Sequence, residues 1–216
     1  MYAADLVDCD SLKQAARGDQ AGWQAVIARH HARLRRMVGL RLDPRLRGRV
    51  DPSDVLQEVY LDATRDLPNY LEKKAATFAP FIWLRQLAGT RLAKIHRTHL
   101  DAQTRDVRKE VPLHGLHYPG VSSVMLAEEI LAISNDPGKV AAHADLRFKV
   151  LSAIESLDEI DREVLILRHF EHLTTEETAV VLNITTAATG KRYLRALERL
   201  REVLTDSSTS SEEMRS

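Results

Sequence analysis

The chain has a single cysteine, Cys9. A disulfide framework needs paired cysteines and a cysteine-based zinc site needs several, so neither is expected. Aromatic residues make up only 5% of 216 residues. Any core must therefore be built mainly from Leu, Val, Ile and Ala, and a hydrophobic content of 44% is enough for one large or two small domains. No apolar run approaches the roughly 20 residues of a membrane span. The first residues, MYAADLVDCD, lack the basic-then-apolar layout of a signal peptide. A soluble, cytoplasmic chain with no membrane partner is expected. Also missing are a Gly-rich phosphate loop, a nucleophile elbow and a pair of catalytic carboxylates. Histidines fall in pairs (30 and 31, 114 and 117, 169 and 172), but no third ligand stands at a supporting spacing. Neither a metal, a cofactor nor an enzymatic activity is expected.

An excess of one charge is absent too, with 31 Lys plus Arg against 31 Asp plus Glu. The distribution is uneven. Residues 29–49 hold eight arginines (29, 33, 35, 36, 41, 45, 47 and 49) against Asp43 alone. Residues 51–66 hold five acids (51, 54, 58, 62 and 66) against Arg65. Residues 85–109 carry seven basic residues against Asp101 and Asp106. Blocks of this kind are either solvated faces that balance one another or surfaces for different partners, at least one of them polyanionic.

In chain order, Ser11 to Arg17 reads as a short helix closed by Gly18, and Asp19 caps a second helix running to about Leu42. Trp23, Ile27, His30, Leu34 and Met37 or Val38 mark one side of it. Asp51-Pro52 is a helix start, with an acceptor at the cap and proline at the first helical position. The helix it opens turns Val55, Leu56, Val59, Tyr60 and Ala63 inward, leaves Asp54, Gln57, Glu58, Leu61 and Asp62 outside, and is expected to end at Pro68. A leucine among exposed acids suits a protein contact better than a solvated face. The stretch from Phe78 to Leu100 combines Phe81 and Trp83 with Arg85, Arg91, Lys94 and Arg97. Aromatics interleaved with cations suit single-stranded nucleic acid, where bases stack and phosphates pair with basic side chains. Phe81 and Leu84 are expected in the core, and Trp83 fits either role. Residues 101–142 lack sustained periodicity and read as a linker, with one or two helical turns near Met125 to Ala132 and a turn at Asn135-Asp136-Pro137-Gly138.

Beyond the linker, Leu146, Val150, Leu151, Ile154 and Leu157 define a helix, and Asp158 caps another that carries Ile160, Val164, Leu165, Leu167 and Phe170. Leu173 to Leu204 then reads as a helix-turn-helix. Thr174 and Glu177 have capping-box spacing, Asn183 stands at the turn, and Thr185 or Thr186 caps the second helix. In that helix Tyr193, Leu197, Leu200 and Leu204 are expected to form a buried stripe. Arg192, Arg195 and Arg199 form a second stripe roughly opposite, as a helix laid against DNA requires. The last residues, 206–216, are polar and expected to be disordered. The predicted fold is all-α: an N-terminal helical domain over 10–100, a flexible linker over 101–142, and a four-helix unit with helix-turn-helix over 143–205.

The order of these features resembles the extracytoplasmic-function (ECF) group of bacterial sigma factors, within the sigma-70 family. The resemblance rests on DPSDVLQEVYLDA (51–63), FIWLRQLA (81–88) and the segment 157–201, in which Arg162, Leu167-Arg168, Glu177, Ala179 and Arg195-Ala196-Leu197 fall in register. It implies that Asp54, Gln57, Glu58 and Leu61 bind core RNA polymerase. It implies that Trp83, Arg85, Arg91, Lys94 and Arg97 act in recognition and melting of the promoter's minus-ten element. Thr186, Lys191, Arg192, Arg195 and Arg199 would contact the minus-thirty-five element. It further implies an inhibitory partner, an anti-sigma factor or a Ser/Thr kinase in its place. Three departures stand out: Asp158 where the family usually has proline, Thr90 near a frequent Asn, and Gly190 behind Thr189 inside the second helix of the motif. The competing expectations are a stand-alone helix-turn-helix regulator, which would bind operator DNA without polymerase, and an adaptor that binds polymerase without driving transcription.

Overall fold

The computed structural model describes residues 3–75, 78–100, 110–113, 116–133 and 140–213. The chain divides into two compact units, Met1–Gly120 and Val121–Ser216. The expected linker, 101–142, falls partly outside the described residues. Within it the structure describes an antiparallel hairpin and a helix, and the division between units falls between those two.

The N-terminal unit is built on four helices: α1 (Ala3–Ala16), α2 (Gln20–Arg41), α3 (Pro52–Asn69) and α4 (Pro80–Leu100). The hairpin β1 (Glu110–Leu113) and β2 (Leu116–Pro119) follows them, with Val111 opposite Tyr118. α1 begins well before Ser11. It closes on Gly18, whose φ of +97° suits a residue without a Cβ. α1 and α2 then cross so tightly that a Cβ on Gly22 would stand 2.5 Å from the Ser11 carbonyl oxygen. Asp19 accepts from the Ala21 N–H at 2.9 Å, and Asp51 accepts from the Ser53 N–H at 2.7 Å with Pro52 behind it. Both caps hold as expected.

The core gathers Leu12, Val26, Leu34, Met37, Val55, Leu56, Val59 and Phe81, all buried. The buried Asp8 and His30 are paired with each other. The Asp8 carboxylate meets Arg29 and, at 2.7 Å, the Nε2 of His30. Burial pushes the His30 imidazole below its ordinary pKa, against the pull of Asp8. The Arg33 guanidinium lies 3.6 Å from the centroid of the Phe81 ring, a cation–π contact.

Pro68 does not end α3. The helix continues to Asn69 and into a wider turn at Tyr70–Lys74, where the Ala75 N–H donates to the Tyr70 carbonyl at 2.8 Å. Proline removes one N–H from the ladder. The chain accommodates this by shifting to i→i−5 bonding rather than stopping. The wide turn has a use: it brings Asn69 and Lys74 to the carboxylate of Asp66, which they meet at 2.7 and 2.9 Å. The Trp83 indole N–H completes the set at 3.0 Å, and its ring stacks on Tyr70 with centroids 4.1 Å apart.

The C-terminal unit contains α5 (Ser123–Ile133), α6 (Val140–Ser156), α7 (Glu159–Leu165), α8 (Thr175–Leu182) and α9 (Thr186–Glu213). Its core is Leu126, Val150, Ile154, Val164, Leu167, Phe170, Ala179, Val181 and Ala196. Ile160, expected inside, is 42% exposed. Asp158 caps α7 by accepting from the Asp161 N–H at 2.8 Å, so it supplies a helix start without proline. α7 runs into a wide turn at Ile166–Phe170. α9 extends to Glu213 and not to 205. Adding residues to a formed helix is far easier than nucleating one, so the polar 206–213 segment continues it. Residues 214–216 of the expected disordered tail lie outside the described residues.

Asp66 supplies a pH test. Burial raises its pKa, but the hydrogen bonds from Lys74, Asn69 and Trp83 outweigh this and hold it below the ordinary carboxylate value. A lowered folded-state value gives stability that is full above the unfolded value of about 3.9. That stability is lost as pH falls through the folded value. Urea unfolding at pH 5 and pH 3 should therefore show an acid loss in the wild type that is smaller in Asp66→Asn. Equal acid losses would remove Asp66 from this role.

Candidate nucleic-acid interface

α8 and α9 form the helix-turn-helix. Thr174 and Glu177 complete the capping box, the Thr174 N–H donating to the Glu177 carboxylate at 2.8 Å and the Glu177 N–H to Thr174 Oγ1 at 3.1 Å. Asn183 ends α8 in the left-handed region, φ 54° and ψ 44°, a conformation that Asn tolerates better than most residues. Thr185 Oγ1 then accepts from the Ala188 N–H at 3.1 Å, which fixes the start of α9 at Thr186.

The buried stripe of α9 is rotated from the expected one. Thr189, Ala196 and Leu200 are buried and Tyr193 is half-buried, whereas Leu194 is 59% and Leu197 36% exposed. Ala196 rather than Leu197 meets the core because it lies about 100° round the helix, in phase with 189, 193 and 200. The side chain of Leu204 lies outside the described ones. The shift moves the arginines from the far side of the helix to the flank of the buried stripe. There Arg192 reaches the carboxylate of Asp161 at 2.7 Å and Asp158 at 3.6 Å, and Arg195 reaches Asp161 at 3.3 Å. Arg192 is left 28% exposed and Arg195 61%. Thr186, Lys191 and Arg199 are exposed. A Cβ on Gly190 would meet nothing within 4 Å, so packing within this unit does not demand glycine there.

Asp161 was not legible as a partner of α9. It stands one residue before Arg162 in an acidic helix start, where the helix dipole alone accounts for carboxylates. Only the packing of α7 on α9 shows that its side chain is turned inward, 3% exposed, under two guanidinium groups.

In the N-terminal unit the expected aromatic-basic surface on α4 is corrected. Trp83 is fully buried and Arg85 is 1% exposed. The first turns of α4 pack against α1, α2 and α3, so Phe81 through Arg85 are enclosed whichever way they point. Trp83 spends its stacking face on Tyr70 and its N–H on Asp66, leaving neither for a base in this conformation. Arg91 is half-buried and pairs with Glu58, with Asp62 at 3.8 Å. Lys94 and Arg97 are exposed. On α3, Asp54, Gln57 and Glu58 are exposed and Leu61 is 54% exposed, so these four share an outward face as expected. One contact ties the turn after α2 to α4: the Asp43 N–H donates to His96 Nε2 at 3.2 Å. Burial pushes His96 below its ordinary pKa, and the neutral ring can accept that bond.

A helix-turn-helix on a small helical unit, in a chain whose N-terminal unit exposes acids on α3 and cations on α4, suits contact with DNA. The sigma-70 region 4 family model matches residues 147–200, which span most of α6 to α9. The chain is 28% identical over 191 residues to the ECF RNA polymerase sigma factor SigD of Mycobacterium tuberculosis, covering 88% of this chain and 81% of that protein. It is 42% identical over 62 residues to the RNA polymerase sigma-E factor of Streptomyces antibioticus, 29% of this chain and 34% of that one. Among solved structures, CnrH in complex with the cytosolic domain of CnrY has a similar fold, with a TM-score of 0.52 and 19% identity over 93% of this chain and 98% of that one. Residues 147–200 thus match sigma-70 region 4, and most of the chain is similar to sigma factors of the extracytoplasmic-function group.

The Asp161 pair predicts a contrast between the two arginines. Arg192→Ala leaves a carboxylate largely without its partner and should destabilise the C-terminal unit by about 1–3 kcal/mol. Arg195→Ala removes an exposed contact and should cost less than about 1 kcal/mol. Urea midpoints of the two variants decide it; equal shifts would mean that Arg192 holds nothing.

Proposed function

We propose that this protein is a transcription initiation factor of the cytoplasm. It binds core RNA polymerase, directs it to promoters and carries no chemistry of its own. The reading rests first on one observation: a helix-turn-helix unit matching sigma-70 region 4 stands in the same chain as a helix whose exposed face is Asp54, Gln57, Glu58 and Leu61. A regulator that only binds DNA has no use for such a face.

The division of labour follows from exposure and charge. Asp54, Gln57, Glu58 and Leu61 on α3 bind core polymerase, the carboxylates steering encounter with a basic surface and Leu61 adding apolar contact. Lys94 and Arg97 on α4 contact promoter DNA at the minus-ten element, joined by Arg91 once its pair with Glu58 opens. The N-terminal part of α9, with Thr186, Lys191, Arg195 and Arg199, meets the minus-thirty-five element. Arg192 holds α9 against α7 and sets the angle at which that helix is offered. No helix among the described residues is long and apolar enough to cross a membrane.

Purified protein mixed with core polymerase should give promoter-dependent run-off transcripts, and neither component alone should do so. Tight operator binding by the protein alone, with no affinity for core polymerase, would make it a stand-alone regulator instead. The double substitution Asp54→Lys, Glu58→Lys should weaken core binding about tenfold or more, because it sets like charges against each other. Arg91→Ala, which breaks the Glu58 pair from the other side, should not. Unchanged affinity in the double variant would move the polymerase contact elsewhere.

A further inference from the structure

The arginines after α2 have no place in the reading above. Arg45, Arg47 and Arg49 stand within five residues of one another in the turn between α2 and α3, and all three are exposed. Arg45 meets Asp43 at 2.9 Å, and Arg47 donates to the Gly39 carbonyl at 3.1 Å. The block uses Arg throughout and no Lys from residue 29 to 49. Guanidinium groups match the planar, two-oxygen geometry of phosphate better than ammonium groups do.

The position of the turn matters as much as its charge. It begins at Asp43, whose N–H is bonded to His96 on α4. His96 lies in the same helical turn as Lys94 and Arg97, the two exposed cations proposed to contact promoter DNA. α4 carries no acidic residue along its length, and the acids of α3 that face it are engaged, Glu58 and Asp62 by Arg91 and Asp66 by Trp83 and Lys74. The cationic end of α4 and the arginine turn thus adjoin, and among the described residues the acid between them, Asp43, is paired with Arg45. Holding so many like charges together is unfavourable in the free protein, and a polyanion laid across them relieves it.

We propose that the turn of residues 43–50 is a second phosphate-binding surface, which carries the DNA contact of α4 onto the sugar–phosphate backbone of the adjoining promoter duplex. This rests on the initiation-factor reading. The turn would add affinity without reading sequence, since contacts to phosphate carry no base information.

The test uses the full-length protein assembled with core polymerase on a promoter fragment, with dissociation constants measured across a salt series. The triple variant Arg45→Gln, Arg47→Gln, Arg49→Gln should flatten the dependence of log K on log salt by roughly two to three, at about 0.9 per lost phosphate contact. Over a fourfold rise in salt, the wild type should then lose roughly ten- to fortyfold more affinity than the variant. Preference among promoter sequences should not change, and neither should core binding. An unchanged slope with intact core binding would show a merely solvated patch. Lost core binding by a folded variant would assign the arginines to polymerase, and either result overturns the proposal. Should the triple variant unfold, Arg49→Glu alone decides, because it removes neither the Asp43 pair nor the Gly39 bond: a shallower slope supports the surface and an equal slope refutes it. If the wild type itself forms no promoter complex with core polymerase, the initiation-factor reading fails, and that outcome is distinct from all of these.

Discussion

The side chain of Asp161 is 3% exposed and faces two arginines of the next long helix. A carboxylate so enclosed is costly unless it is paired, and losing its partner costs more than the pair contributes. The arrangement therefore tolerates little rotation of α9. Thr189, Ala196 and Leu200 must face the core while Arg192 reaches back to α7, and that choice decides which residues are offered outward. Asp66 plays the comparable part in the N-terminal unit. Three donors converge on it from the end of α3, the wide turn and α4, and Trp83 is held inside as a result. In each unit a helix proposed to meet DNA is set by a carboxylate on an earlier helix.

This division separates residues that place a helix from residues that can leave it. Arg192 and Trp83 carry the chemistry expected of nucleic-acid contacts but spend it internally. Lys94, Arg97, Lys191 and Arg199 are exposed, and long flexible cations at the surface gain most from a phosphate. The pair between Arg91 and Glu58 joins the two proposed surfaces of the N-terminal unit. It makes the carboxylate proposed to meet polymerase and the guanidinium proposed to meet DNA partners of each other in the free protein.

Local signals were the legible ones. Asp19, Asp51-Pro52, Asp158, the Thr174–Glu177 box and Asn183 each act within four residues of where they stand, and each appears as read from the sequence. The outward face of α3 was legible for the same reason, because a strong amphipathic period needs no knowledge of neighbours. The phase of α9 was not. Tyr193 and Leu200 fit two stripes equally well, and a small residue, Ala196, won the core position over Leu197 because α6 and α7 lie close. Pro68 misled because a proline can be absorbed by a wide turn when the following residues have tertiary partners, here Asn69 and Lys74 on Asp66. Trp83 and Arg85 could not be placed from their types, since an aromatic-basic run looks the same on a surface and in a paired interior. The departure at Gly190 also reads differently now: its surroundings are open, so packing within the unit does not require glycine there.

The central claim is that the two units act on one promoter and do so through polymerase. Hydroxyl-radical footprinting of a native promoter, with the protein alone and with core polymerase added, tests it most directly. The account predicts two separate protected patches that appear only with polymerase, the upstream one weakened by Lys191→Ala with Arg199→Ala and the downstream one by Lys94→Ala with Arg97→Ala. The same footprint from the protein alone at the same concentration, or a single patch that responds to only one pair of substitutions, would contradict it.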